Sequence, residues 1–179
     1  MGIIITILLV LAVIIAIILA IALVVKKDYK VERDIIINKN KAEVFTYIRS
    51  LKNQDNFSKW GSMDPNMKKE YRGMDGTVGF VSSWEGNKKV GKGEQEIVKI
   101  AEGERVDYRL HFIKPFEGLA DAYMATTANS DNQTKVSWGM SSSMKYPMNI
   151  MLLFMNMEKM IGDDFSTGLN NLKNILEKN

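Results

Sequence analysis

The chain contains no cysteine, a single histidine, three prolines, and no charged residue before position 26. The missing cysteine excludes disulfides, thiolate metal sites, thiol nucleophiles, redox dithiols and lipid attachment through sulfur. With His111 alone, a multi-histidine zinc site is excluded as well. The net charge is +3, from 24 Lys and Arg against 21 Asp and Glu, too small and too evenly spread a surplus to argue for nucleic acid. No nucleophile and base, paired carboxylates or metal cluster occurs at a recognisable spacing. The glycines within 73–79 and 91–93 read as turn and strand residues, because no helix start follows them to cradle a phosphate. No cofactor is therefore expected.

What the chain does have is a run over residues 3–25 in which Thr6 alone is not hydrophobic. As a helix this run would span about 34 Å, against a hydrocarbon core of about 30 Å. Its crowded Ile and Val are modest helix formers in water, but in lipid only a helix or a closed barrel satisfies the backbone. A transmembrane helix over 1–27 followed by a domain over 28–179 is expected. The competing reading is a cleaved signal peptide with Ala20 and Ala22 as its small-residue site. The length of the run and the lack of a basic residue before it favour an uncleaved anchor. Lys26, Lys27, Lys30, Arg33, Lys39 and Lys41 follow the run closely. Positive charge on that side predicts a single-pass membrane protein with its N-terminus outside and its domain in the cytoplasm.

The remaining polar part, roughly 150 residues, is enough for one core and too little for two. Residues 29–37 alternate apolar and charged side chains before closing in an apolar run, a strand pattern. Asn40 and Glu43 form a capping box ahead of Val44, Phe45, Ile48 and Leu51, which predicts a helix over 41–51; a short helical turn over 54–59 follows. Turn residues then separate strands expected at 68–71, 77–84, 89–100, 105–113, 119–127 and 134–142, an antiparallel meander whose edges curl closed. Over 105–112 the alternation puts Val106, Tyr108, Leu110 and Phe112 on one face and Arg105, Asp107, Arg109 and His111 on the other. Pro147 opens a last helix expected to run to about 178, with Met151, Phe154, Ile161, Phe165, Leu172 and Leu176 on the stripe that covers the sheet.

Strand, two helices, meander and one long final helix is similar in order to the START-like or Bet v 1-like helix-grip fold. That is an α+β architecture in which a curved antiparallel sheet wraps a long C-terminal helix. The residues extend the likeness: V-E-R-D-I-I-I-N at 31–38 followed by V-F-T-Y-I at 44–48 resembles the opening of the SRPBCC polyketide cyclase/dehydrase group. So do Trp60, M-D-P-N-M at 63–67, Gly79, S-W-E-G-N at 83–87, G-K-G at 91–93, K-P-F-E at 114–117 and V-S-W at 136–138. The resemblance covers residue 29 to the C-terminus and leaves the leader outside. It implies the fold and the space between sheet and helix; it implies no one activity, since the group includes lipid carriers, ligand sensors and aromatase/cyclases.

By alternation the inward side chains are Phe80, Ser82, Trp84, Gln95, Ile97, Val106, Tyr108, Leu110, Phe112, Ala120, Ala122, Met124, Thr126, Val136, Trp138 and Met140. Ala120 and Ala122 are too small to fill a core. Ser82, Gln95, Thr126 and Tyr108 are polar groups that either bond to one another or to bound water, or serve a ligand. The expected ligand-binding set is Phe80, Ser82, Trp84, Gln95, Tyr108, Phe112, Ala122, Met124, Trp138, Met140, Phe154, Ile161 and Phe165, with no catalytic residue and no metal ligand. Trp60 and Trp84 read as pocket walls or as core anchors. Seven of the 12 methionines lie between 140 and 160, and residues 149–157 are apolar nearly all round. Such a stretch is a buried helix end, a ligand entrance or a lipid contact. His111 falls on the outer face, and Asp163 with Asp164 reads as a solvated pair.

The first functional reading is a membrane-anchored protein that binds a small hydrophobic molecule: a lipid, an isoprenoid, or an aromatic or polyketide-like metabolite. The second is a cyclase or dehydratase using Tyr108, Gln95 and Ser82 in the same cavity. The third is a ligand-free domain with a filled core that binds a partner. The expected partners are that hydrophobic molecule and, through residues 3–25, the lipid bilayer, with no nucleic acid.

Overall fold

The computed structural model describes residues 2–178. It begins with helix α1 (Gly2–Val24), long and apolar enough to cross a membrane. This helix stands clear of the rest of the chain except at its last turn, which meets residues Met148–Leu153 and buries Ala22. After it come β1 (Asp28–Ile37), α2 (Lys41–Arg49), α3 (Gln54–Phe57), α4 (Lys59–Ser62) and β2 (Lys68–Arg72). The strands β3 (Val81–Glu85), β4 (Lys92–Ala101), β5 (Arg105–Lys114), β6 (Gly118–Ser130) and β7 (Gln133–Ser143) follow, then a 3-10 segment (Met148–Leu153) and α5 (Met157–Glu177). The N-cap half of the expected capping box forms: the Glu43 N–H donates to Asn40 Oδ1 at 2.9 Å, relieving one of the orphan donors at the start of α2, while the Glu43 carboxylate accepts from the Asn40 side-chain amide at 3.4 Å in place of the Asn40 backbone N–H.

The seven strands make one antiparallel sheet in the order β1-β7-β6-β5-β4-β3-β2. Two strands start later than the pattern predicts, and glycine is the reason in each. Gly79 takes φ 88°, which breaks the extended run, so β3 opens at Val81 and not at 77. Gly91 takes φ 71° and lies so close to the Lys114 carbonyl that a side chain has no room, so β4 opens at Lys92 and not at 89.

The edges of the sheet do not meet, contrary to the expectation of closure: β1 and β2 remain its two margins. Helix α5 covers the β1 margin instead. Lys173 Nζ donates to the Ile36 carbonyl at 2.7 Å, and Glu177 Oε1 accepts the Asn38 N–H at 2.7 Å, so side chains of the helix occupy an edge that would otherwise be open to pairing.

The last helix also differs from its sequence pattern. Asn156 accepts the Lys159 N–H at 2.9 Å and caps α5, so the α-helix begins well after Pro147. The intervening residues form the 3-10 segment and a turn. Phe154, expected on the inward stripe, follows the 3-10 segment and is 83% exposed. Nor is this stretch a buried helix end, since Met148 and Leu153 are exposed too.

Two glycines let α5 sit tightly on the concave face. A side chain at Gly162 would collide with the Arg33 guanidinium, and a Cβ at Gly168 would lie 2.7 Å from the Trp138 ring. Trp138 stacks on Phe165, with ring centroids 4.6 Å apart and planes 14° apart. On the side of this stack toward Ile37 the core is solid, filled by Val44, Phe45 and Ile48 of α2, Ile97, Val106, Met124 and Val136 of the sheet, and Leu169 and Leu172 of α5.

Gly168→Leu should drive Trp138 off Phe165 and destabilise the fold by about 1–3 kcal/mol, the usual cost of overpacking. A lower denaturant midpoint together with altered tryptophan fluorescence would register it. Asn170→Leu, an exposed position on the same helix, should stay within about 0.5 kcal/mol of the parent.

Candidate functional site

On the other side of the Trp138–Phe165 stack the sheet and α5 enclose a cavity of about 260 Å³. Its position follows from the register. Tyr29, Ser142, Ala120, Leu110, Gln95 and Ser82 are successive cross-strand partners from β1 to β3. The next row toward the start of β1 contains Gly118, Phe112, Gly93 and Trp84. These rows lie at the end of the sheet where α1 joins β1, and their inward side chains include Ala, Ser and Gly where the opposite end carries Val, Ile and Met. The vacant side-chain position of Gly93 is occupied by the Trp84 indole, 2.6 Å from where a Cβ would stand. Small residues at the floor and a helix that reaches only part of the sheet leave the space unfilled.

The walls are aromatic. Trp138 and Phe165 form the inner end, Trp60 meets Phe165 edge-on at 6.0 Å, and Trp84 meets Phe112 edge-on at 6.1 Å. Met140, Met157 and Met160 add adaptable side chains beside Ala122, Leu110 and Ile161. Of the thirteen residues expected to bind ligand, nine line this cavity: Ser82, Trp84, Gln95, Phe112, Ala122, Trp138, Met140, Ile161 and Phe165.

The other four lie elsewhere. Phe80, Tyr108 and Met124 point inward as the alternation predicts, but they belong to the solid half of the core. The Tyr108 hydroxyl donates to the Ile48 carbonyl at 3.3 Å, and complete burial holds its proton well above the ordinary tyrosine range. Phe154 points to solvent for the reason given above. Position along the strand, and not only its parity, decides which inward residue meets the cavity.

The four polar groups singled out from sequence divide the same way. Thr126 Oγ1 donates to the Gly103 carbonyl at 3.0 Å, and Tyr108 is satisfied by α2. Ser82 and Gln95, cross-strand partners that both line the cavity, make no side-chain hydrogen bond among the described residues. They neither pair with each other nor seal a core.

The sequence pattern missed the contribution of the short helices: Gln54 and Asp55 of α3, Ser58, and Lys69 at the rim in β2. Helices of four residues have too few positions to display a period, so only the aromatic Trp60 stood out there. Asp55 binds Lys69 through a short ion pair and accepts from the Tyr71 hydroxyl at 2.8 Å. His111 lies on the outer face between Glu94 and Glu117, and Asp163 and Asp164 pair with Lys159 and Lys59. Among the described residues no group of three or more His, Asp or Glu could hold a metal ion.

No family model matches the chain, and no curated protein matches it significantly in sequence. Solved structures do match. Norcoclaurine synthase from Thalictrum flavum, in complex with dopamine and hydroxybenzaldehyde, is 7% identical with a TM-score of 0.63, over 88% of this chain and 91% of that one. XoxI from Bacillus cereus is 11% identical at a TM-score of 0.59, over 82% and 94%. Ara h 8.0201 is 12% identical at a TM-score of 0.57, over 85% and 99%. The chain has the Bet v 1-like helix-grip fold. The identities are too low to carry more than the fold, so the contents of the helix-grip cavity have to be argued from its own residues.

Tyr71 keeps its proton up to about 12, first because of burial and then because of its bond to Asp55. Since the unfolded phenol titrates near 10, this contact supports the cavity rim at and below pH ~10 and is lost as the pH rises toward 12. Asp55→Asn should move the Tyr71 titration back toward 10, read as the difference in ultraviolet absorbance between each protein and its Tyr71→Phe counterpart.

Proposed function

We propose that the chain is a membrane-anchored binding protein, residues 1–27 forming the anchor and 28–179 a helix-grip domain that holds a small hydrophobic molecule between the sheet and α5. The observation that carries this reading is the unpaired Ser82–Gln95 couple on the sheet floor of a cavity whose other walls are largely aromatic, aliphatic and methionine side chains, with Gln54, Asp55, Ser58 and Lys69 on the side of the short helices and β2. Apolar walls supply affinity without direction. Two unpaired polar side chains supply direction: a ligand hydroxyl, carbonyl or carboxylate would find both donors and an acceptor there.

The size of the cavity suits a compact ligand, one aromatic ring system or a short isoprenoid or acyl chain. Enclosing about 300 Å² of apolar ligand surface at about 25 cal/mol per Å² supplies roughly 7 kcal/mol before ordering costs, which suggests micromolar binding. Norcoclaurine synthase, with the same fold, is seen with dopamine and hydroxybenzaldehyde, small aromatic molecules of this class. On this reading α1 crosses the bilayer once, and the lysines after it keep the domain on the cytoplasmic side, next to a lipid-soluble supply.

A second reading has one observation in its favour. Lys69 and Asp55 place an ion pair against the cavity, and on this reading it carries the proton for a cyclase or dehydratase. Tyr108, the sequence-level candidate for that role, lies outside the cavity. A filled-core, partner-binding domain is not favoured, because its premise was solid packing between sheet and helix.

Displacement of an apolar fluorescent probe tests the first reading. The parent should bind the probe, and Ala122→Trp, which fills the cavity from its floor, should abolish binding while leaving the fold intact; equal binding by both proteins would refute the site. Gln95→Leu should weaken naphthol by about tenfold relative to naphthalene, the worth of one ligand hydrogen bond. If instead the protein converts a substrate, Lys69→Met should stop turnover and spare probe binding.

A further inference from the structure

The anchor helix is tied to the domain at one place. The last carbonyls of any helix lack intrahelical partners, and beside a bilayer an unpaired carbonyl is costly. The carbonyls of Ala22 in the last turn of α1 and of Val25 just after it are taken by the side-chain amide of Asn149, whose Nδ2 donates to them at 2.7 and 3.0 Å. Asn149 belongs to the 3-10 segment and is wholly buried, as is Ala22. A second tie lies next to it, where the Met144 N–H donates to the Lys27 carbonyl at 2.9 Å. Only residues 25–27 separate α1 from β1, so the helix meets the domain through a short connection reinforced by these hydrogen bonds.

This tie sets which surface of the domain meets the membrane. The end of the sheet at which α1 joins is ringed by exposed apolar side chains: Ile113, Phe116 and Leu119 from the β5–β6 hairpin, and Met148, Leu153 and Phe154 from the segment that carries Asn149. Lys26, Lys27, Lys114 and Lys145 stand among them, against Asp28 and Glu117, a local excess of positive charge. Apolar side chains interspersed with lysine suit a lipid surface with anionic headgroups. From Phe154 the chain runs directly into Met157 and Met160, which line the cavity.

We propose that Asn149 locks the domain onto the membrane so that this apolar collar lies in the bilayer interface and the cavity opens beside lipid at Met157 and Met160. The proposal rests on the reading of α1 as a spanning helix. It adds that the domain is docked, in one orientation, and takes its ligand from the lipid phase.

The absence of cysteine makes the test direct. Full-length Phe116→Cys, Phe154→Cys, Val13→Cys and Asp131→Cys, each carrying one environment-sensitive fluorophore, are placed in vesicles of equal parts phosphatidylcholine and phosphatidylglycerol containing doxyl-labelled lipid. The expected result is quenching at positions 116, 154 and 13 and none at 131, which lies in the β6–β7 turn at the opposite end of the sheet. Asn149→Ala should at least halve the quenching at 116 and 154 and leave that at 13 unchanged, with retained probe binding reporting an intact fold. Quenching at 13 without quenching at 116 and 154 would overturn the docking and spare the anchor. No quenching at 13 would remove the anchor and the docking together. Unchanged quenching in Asn149→Ala would overturn the lock, and Asn149→Leu, which keeps the bulk and loses the donor, repeats that arm should Asn149→Ala fail to fold.

Discussion

The stacking of Trp138 on Phe165 is the contact on which the rest of the arrangement depends. It fixes α5 against the sheet at one depth, with Gly168 leaving the Trp138 ring its space and Phe57 meeting that ring edge-on at 5.7 Å. On one side of the stack α2 and the second half of α5 fill the concave face with Val, Ile, Leu and Met. On the other side the sheet presents Ala122, Ser82, Gln95 and Gly93, and the helix offers only its first turns. A hollow follows from that division without any special device: close packing is reached where large side chains face each other, and not where small ones do.

Much of this was legible in the residues. Period-two alternation named the inward face of β3 to β7, the Asn40–Glu43 pair gave the start of α2, and small residues at 120 and 122 marked where the core would be thin. What alternation could not convey is depth along the strand. Tyr108 and Leu110 share a face of β5, yet one hydrogen-bonds to α2 in the solid core and the other lines the cavity. That distinction depends on which element covers each row, a tertiary fact. Asn156 was overlooked for a different reason: Pro147 is the stronger punctuation mark, but a proline permits a helix start while a side-chain cap stabilises one, and here the cap decided. Phe154, read as part of the helical stripe, was lost with that boundary.

The polar content of the cavity shapes the functional argument more than its volume. Ser82 and Gln95 face each other across β3 and β4, at a position where a sealed core would demand that they pair, and they do not. Such groups are tolerable when water or a ligand completes them. The Lys69–Asp55 pair stands at the rim, tied to Tyr71, where it holds β2 to α3 as well as facing the cavity. The methionines at 140, 157 and 160 give the remaining wall a surface that can repack around ligands of different outline.

The most direct test of the central claim is native mass spectrometry of the chain gently purified from the cells that make it, followed by organic extraction of whatever accompanies it. The account predicts one small hydrophobic adduct per chain, present in the parent and missing in Ala122→Trp. A bare mass for the parent, with no uptake from a total lipid extract, would contradict it.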